Sequence, residues 1–130
     1  MTEPRATYTL RAGMPRRFDL TIPGNPIPKG RPRVTERGTF TPTRTSEYEA
    51  LVRGYVALAW HGDPLTVALA LTLRFYRATA HKCDLDNLVK SISDAIQGVV
   101  FEDDAQVWVL HAAKGIDRDN PRVEILVEVL

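Results

Sequence analysis

Between Leu65 and Tyr76 the chain alternates without a break. Leu65, Val67, Leu69, Leu71, Leu73 and Phe75 fall on one side, with Thr66, Ala68, Ala70, Thr72 and Arg74 between them. A period of two sustained this long specifies a strand with one strongly apolar face, because helical apolar positions recur at three and four. The rest of the chain must supply the cover for that face.

Two segments have the period to do so. Thr45 to His61 reads as a helix: Thr45 or Ser46 can cap it, Glu47 and Glu49 suit the positive end of its dipole, and Leu51, Tyr55, Leu58 and Ala59 recur at helical spacing. Gly62-Asp63-Pro64 stops it. Asp86 to Gln97 is the second helix, with Leu88, Val89, Ile92, Ala95 and Ile96 as one stripe, Asn87, Lys90 and Asp94 opposite, and Gly98 as C-cap. Phe18 to Ile22, Val107 to Ala113 and Val123 to Leu130 alternate as strands, the last two joined through the turn-rich stretch 115–121. Pro28-Lys29-Gly30-Arg31-Pro32-Arg33 cannot be helical and takes an extended path, followed by a short hairpin or irregular loop from Arg33 to Thr41 about Gly38. This order predicts a single α+β domain over residues 1–130, a mixed, largely antiparallel sheet with two main helices, and residues 1–15 flexible or peripheral.

A chain of 130 residues is large enough for one real core. No apolar run approaches the roughly 20 residues of a membrane span, and residues 1–24 lack the apolar centre of a secretory signal. The one cysteine, Cys83, excludes an internal disulfide and a cysteine-based zinc site, and it fits a reducing cytoplasm. Histidines 61, 81 and 111 form no ligand spacing; His81 is a candidate proton carrier only by its nearness to the acidic residues that follow. Trp60 and Trp108 are expected in the core. The net charge of +1 hides an asymmetry: residues 1–60 carry ten Lys/Arg against five Asp/Glu, and residues 61–130 carry seven against eleven. Such a division suits a protein that holds a polyanion with one region and a cation with another.

The acidic half is concentrated in Asp84-Leu-Asp86-Asn87-Leu-Val-Lys90 and, beyond the second helix, Glu102-Asp103-Asp104. Carboxylates brought close together must protonate, separate or find counter-charge, and a hard divalent cation is the counter-charge that also brings reactivity. If the chain brings Asp104 to Asp84 and Asp86, three carboxylates make a Mg²⁺ or Mn²⁺ site with positions left for water and a phosphate oxygen. Lys90 then either reaches a phosphate or only completes an Asp86, Lys90, Asp94 ladder on a solvated helix face. A calcium loop starting at Asp84 is excluded, because Leu88, Val89 and Ala95 stand where a ligand, glycine and glutamate are needed. The structural alternative makes Asp86 an N-cap and Asp103-Asp104 a turn.

Pro26-Ile-Pro28-Lys29-Gly-Arg31-Pro32-Arg33, Thr41-Pro42 before the first helix, Asp84-Leu-Asp86-Asn87-Leu-Val-Lys90-Ser-Ile-Ser-Asp94-Ala, Gly98-Val-Val and Asp103-Asp104-Ala-Gln106-Val occur in an order and spacing that closely resembles the RusA family of Holliday-junction resolvases. The resemblance spans roughly residues 20 to 115. It implies a homodimeric, Mg²⁺-dependent endodeoxyribonuclease of DNA recombination and repair, cytoplasmic, bacterial or often prophage-borne, cutting paired strands of four-way junctions. Asp84, Asp86 and Asp104, with Asp103 as the alternative third ligand, take the places of the family's catalytic carboxylates, and Lys90 that of its lysine. Lys29, Arg31 and Arg33 would then contact DNA phosphates. Flap or fork cleavage, and a branched-DNA-binding module that does not cut, are the alternative activities.

Overall fold

The computed structural model describes residues 5–8 and 15–130. Strands β1 (Arg5–Tyr8) and β2 (Pro15–Pro23) lead through an extended segment to a small hairpin, β3 (Arg33–Thr35) and β4 (Gly38–Phe40). Helix α1 (Thr43–Ala59), strand β5 (Leu69–Arg77), helix α2 (Leu85–Ile96), a 3-10 turn (Asp104–Gln106), β6 (Val107–Ile116) and β7 (Arg122–Val129) complete the order. The main sheet runs β1-β2-β7-β5-β6, antiparallel throughout except for the parallel pair β5 and β6. This is the expected α+β domain with two helices on a mixed, mostly antiparallel sheet.

The alternating face of β5 is the centre of the core, with Leu69, Leu71, Leu73 and Phe75 almost wholly buried. Phe18, Leu20 and Ile22 of β2 and Val123, Ile125 and Val127 of β7 extend it sideways. Tyr48, Val52 and Val56 from α1, with Leu88, Ile92, Ala95 and Ile96 from α2, close it from above. Both helices therefore lie on one face. Trp60 meets Phe18 edge-to-face at 5.2 Å, a favourable ring geometry.

The structure corrects several local expectations. Leu51 and Leu58 do not face the core; Leu58 is 81% exposed, and the buried stripe is Thr45, Tyr48, Val52 and Val56. Apolar residues occupy both faces of α1, so periodicity could establish a helix without its phase. The helix starts two residues early, at Thr43, and no side chain caps it. Thr45 instead accepts a hydrogen bond from the Gly30 N–H at 2.9 Å, tying the proline-rich segment to α1. A Cβ on Gly30 would stand 2.9 Å from Pro42, so only glycine lets the two segments approach this closely.

Strands β6 and β7 are not neighbours. The β5-α2-β6 crossover sets β6 parallel to β5 at the sheet edge, while β7 returns to the far side of β5, between it and β2. The Asp117–Arg122 ion pair at 2.9 Å and the Asp117 N–H to Arg77 C=O bond hold that return. Trp108, expected inside, is 75% exposed on β6, the edge strand of the main sheet. Arg5–Tyr8, within the stretch expected to be flexible or peripheral, pairs with β2; residues 1–4 and 9–14 lie outside the described residues.

The phase of α1 is directly testable by urea unfolding. Val52→Ala should cost about 2 kcal/mol by lost burial and cavity formation, whereas Leu58→Ala should change stability by less than about 0.5 kcal/mol.

Candidate active site

Helix α2 is sharply amphipathic, and burying its apolar side decides where every charged group of the motif stands. Asp84 occupies the N-cap position and Asp86 the first turn. An aspartate at an N-cap ordinarily accepts a backbone N–H bond and stabilises the helix by about 1 kcal/mol. Asp84 makes no such bond, and its exposed carboxylate has no partner among the described residues. Asp86 is also exposed, one oxygen accepting the Asn87 N–H at 2.9 Å. Two carboxylates thus face solvent at the start of α2.

The basic segment packs against this end. The Lys29 N–H donates to the Asn87 carbonyl at 2.8 Å, and a cleft of about 300 Å³ is lined by Pro28, Lys29, Gly30, Lys82, Cys83, Asp84 and Asn87. Of the expected phosphate contacts, Arg31 is exposed, and the Arg33 side chain lies outside the described residues. Lys29 is otherwise engaged: its Nζ meets Glu49 at 2.6 Å and Asp94 at 3.2 Å, with 21% of the side chain exposed. Burial alone would lower its pKa, but the hydrogen bonds it donates to Glu49 and Asp94 prevail and raise it. Lys29 is therefore a clamp joining the basic loop to both helices.

Lys90 lies one turn beyond Asp86, pairs with Asp94 at 3.2 Å and is 55% exposed. This is the ladder arrangement on the Asp94 side, and so exposed a pair costs little to open. Arg53 adds a bond to the Asp94 carbonyl at 3.1 Å. Asp94 is thus the hub on which two lysines converge, a role that its (i, i+4) spacing from Lys90 only half disclosed.

The second acidic cluster lies at the other end of α2. The Asp104 N–H donates to the Gln97 side chain at 3.3 Å, which anchors the cluster beside the helix C-terminus. The 12 residues of α2 put roughly 18 Å between the two ends. One chain therefore does not bring Asp104 to Asp84 and Asp86, and among the described residues no group of three Asp, Glu, His or Cys could hold a metal ion.

Asp103 and Asp104 are distinct in their local use. Asp103 caps the 3-10 turn, accepting from the Ala105 N–H at 2.9 Å, and that bond, helped by the Asp104 carboxyl, holds it below the ordinary carboxylate range. The Asp104 carboxylate accepts no backbone N–H among the described residues, while its main-chain carbonyl takes the Val107 N–H. Gln106, which sequence reasoning treated only as part of a motif, fixes the whole corner. Its side-chain oxygen accepts from the Glu102 and Asp103 N–H groups, and its amide donates to the Leu65 and Val67 carbonyls.

Two exposed carboxylates at a helix start, with a basic segment folded against them, are groups that could share a hard cation. Residues 23–128 match the family described as Endodeoxyribonuclease RusA. The chain belongs to that family, which makes it an endodeoxyribonuclease of the Holliday-junction-resolvase type. It is also similar to the uncharacterized protein YqaN of Bacillus subtilis (strain 168), 27% identical over 133 residues that cover 83% of this chain and 93% of that protein. No helix among the described residues is long and apolar enough to cross a membrane.

The Lys29 clamp has a pH signature. Because the folded-state pKa is raised, its contribution is fully present below the unfolded lysine value and is lost as the pH rises through the higher folded one. Lys29→Met should therefore lower stability at neutral pH and flatten its decline in the alkaline range, as measured by thermal unfolding against pH.

Proposed function

We propose that the protein is a Mg²⁺-dependent, structure-selective endonuclease that works as a homodimer on four-way DNA junctions in recombination and repair. The observation that carries this reading is the pair Asp84 and Asp86, solvent-facing at the α2 start with the Asp84 carboxylate held by no capping bond. Their chemistry fits a hard cation: Mg²⁺ keeps much of its water and takes one or two carboxylates together with substrate phosphate oxygens. When bound, such an ion activates water and stabilises charge gathering on the phosphoryl group.

The chain's own residues supply the remaining tasks. Asp84 and Asp86 bind and orient the cation, while Arg31 and Arg33 steer the DNA backbone without reading bases. Lys90, released from its exposed pair with Asp94, is within helix reach of the same end and serves the phosphate. Asp104 is the third carboxylate, and Asp103 is spent on its turn.

A second copy supplies what one chain separates. β6 is a ten-residue edge strand with Trp108, Val109, Leu110 and Ile116 exposed, the kind of apolar edge that soluble proteins rarely leave unpaired. The acidic corner stands before the start of β6, and the Asp84 end adjoins its finish, where the Lys114 Nζ donates to the Cys83 carbonyl at 2.6 Å. Antiparallel pairing of two β6 strands about a two-fold axis carries the Asp104 corner of each copy toward the Asp84 and Asp86 end of the other.

Labelled four-way, flap, fork and linear duplex DNA, each with and without Mg²⁺, test the substrate. Cutting confined to junctions and dependent on Mg²⁺ is expected; equal cutting of linear duplex rejects the resolvase reading. Asp86→Asn should keep junction binding and lose cutting by about a hundredfold or more. Mixing the Asp86→Asn and Asp104→Asn proteins tests the shared site. Random exchange gives one intact site in half the dimers, so nicking should recover to about a quarter of wild type; no recovery means that each chain carries a self-sufficient site.

A further inference from the structure

A second cavity opens at the finish of β5 and β6, of about 380 Å³ and lined by Arg77, Thr79, Ala80, His81, Cys83, Lys114, Gly115 and Ile116. It has room for far more than a water, whose share of liquid volume is about 30 Å³. Its lining holds two permanent cations and no carboxylate. Arg77 is the unusual member. It is only 8% exposed, yet it has no carboxylate partner among the described residues. One guanidinium N–H donates to the His81 carbonyl at 2.7 Å, while the buried Nε has no hydrogen-bond partner at all. A buried guanidinium left with a single neutral acceptor is costly, and an anion is what offsets that cost. Elsewhere the chain neutralises its partly buried cations from within: Lys29 has Glu49 and Asp94, and Arg122 has Asp117 and Glu124. At Arg77 it does not.

The surrounding groups are suited to the same ligand. Lys114 spends one of its three donors on the Cys83 carbonyl, leaving two. Thr79 and His81 add polar residues to the lining. A planar guanidinium fork beside an ammonium is the donor set for a tetrahedral oxyanion. Cys83 lines this cavity and also the cleft that contains Lys82 and Asp84, so the two recesses adjoin at that residue.

We propose that the Arg77 cavity is a phosphate subsite, occupied by a backbone phosphate of the DNA strand that runs past Asp84 and Asp86. The assignment of the phosphate to DNA rests on the endonuclease reading; the anion site itself does not. It holds the strand next to the carboxylate end of α2, so that binding there registers the neighbouring phosphodiester at Asp84 and Asp86.

Two variants test it, Lys114→Gln at an exposed position where folding is little affected, and Arg77→Lys, which keeps the charge and removes the fork. Junction binding is measured without Mg²⁺ over a range of salt, and thermal unfolding is measured in inorganic phosphate against chloride of matched ionic strength. The wild type should be stabilised by phosphate and both variants much less so. Lys114→Gln should bind junctions about tenfold more weakly, with the slope of log affinity against log salt reduced by about one. Wild-type affinity, salt slope and phosphate response in both folded variants overturn the proposal, while Mg²⁺-dependent cutting by the wild type upholds the nuclease reading independently. A phosphate response in a wild type that binds no DNA overturns the DNA occupant. Conversion of dimer to monomer by Arg77→Lys with the phosphate response intact assigns the cavity to a carboxylate of the second copy and overturns it likewise.

Discussion

Burial of one side of α2 in the core it shares with α1 and β5 is the contact from which the remaining arrangement follows. Leu88, Ile92, Ala95 and Ile96 are wholly buried, and at roughly 25 cal/mol per Å² of apolar surface their removal from water outweighs any single ion pair on the opposite side. With that face fixed, the helix axis and rotation are fixed too. Asp84 and Asp86 then emerge at one end, Lys90 and Asp94 along the flank, and the Asp103-Asp104 corner at the other end. The charged groups did not choose these places. Packing placed them, and chemistry uses what packing left exposed.

The same contact explains why the acidic motif is divided. A helix joining two parallel strands must run back along them, so the loops at its two ends lie at opposite ends of the strands. The separation of Asp104 from Asp84 and Asp86 is therefore a property of the crossover and no accident of loop conformation. In the proposed dimer, an antiparallel second copy would reverse the direction of the crossover and return the acidic corner to the opposite end. A fold that cannot gather its carboxylates within one chain is well matched to a substrate with two strands to cut.

Basic residues divide into those that build and those left over. Lys29, one of three cations expected at DNA phosphates, joins the proline-rich loop to α1 and α2 through Glu49 and Asp94. Arg122 is similarly absorbed, between Asp117, Glu124 and the face of Tyr76 at 4.0 Å. Arg31 and Arg77 are the informative remainder, one exposed on the loop and one buried without a counter-charge. Sequence counts cations equally; only the pairing shows which charges remain to meet a ligand.

The sequence by itself determined the strands at β2, β5 and β7, the two helices, the extended basic segment and the placement of Asp84 and Asp86 at the start of α2, because each is a matter of local period, proline chemistry or spacing within a few residues. The phase of α1 was not legible, since Leu51 and Leu58 compete with Tyr48, Val52 and Val56 for the core and only the neighbouring β2 and α2 decide between them. Nor could the chain order alone place β7 between β2 and β5 or leave Trp108 on an exposed edge, because those depend on which strand the crossover delivers to the rim. Thr45 and Gln106 belong to the same group: their partners, Gly30, Leu65 and Val67, are 15 to 41 residues away. Tertiary structure decided the fate of the acidic cluster for the same reason. Twenty residues of sequence separation say nothing about distance until the direction of the intervening helix is known, and here that direction holds the two carboxylate groups apart.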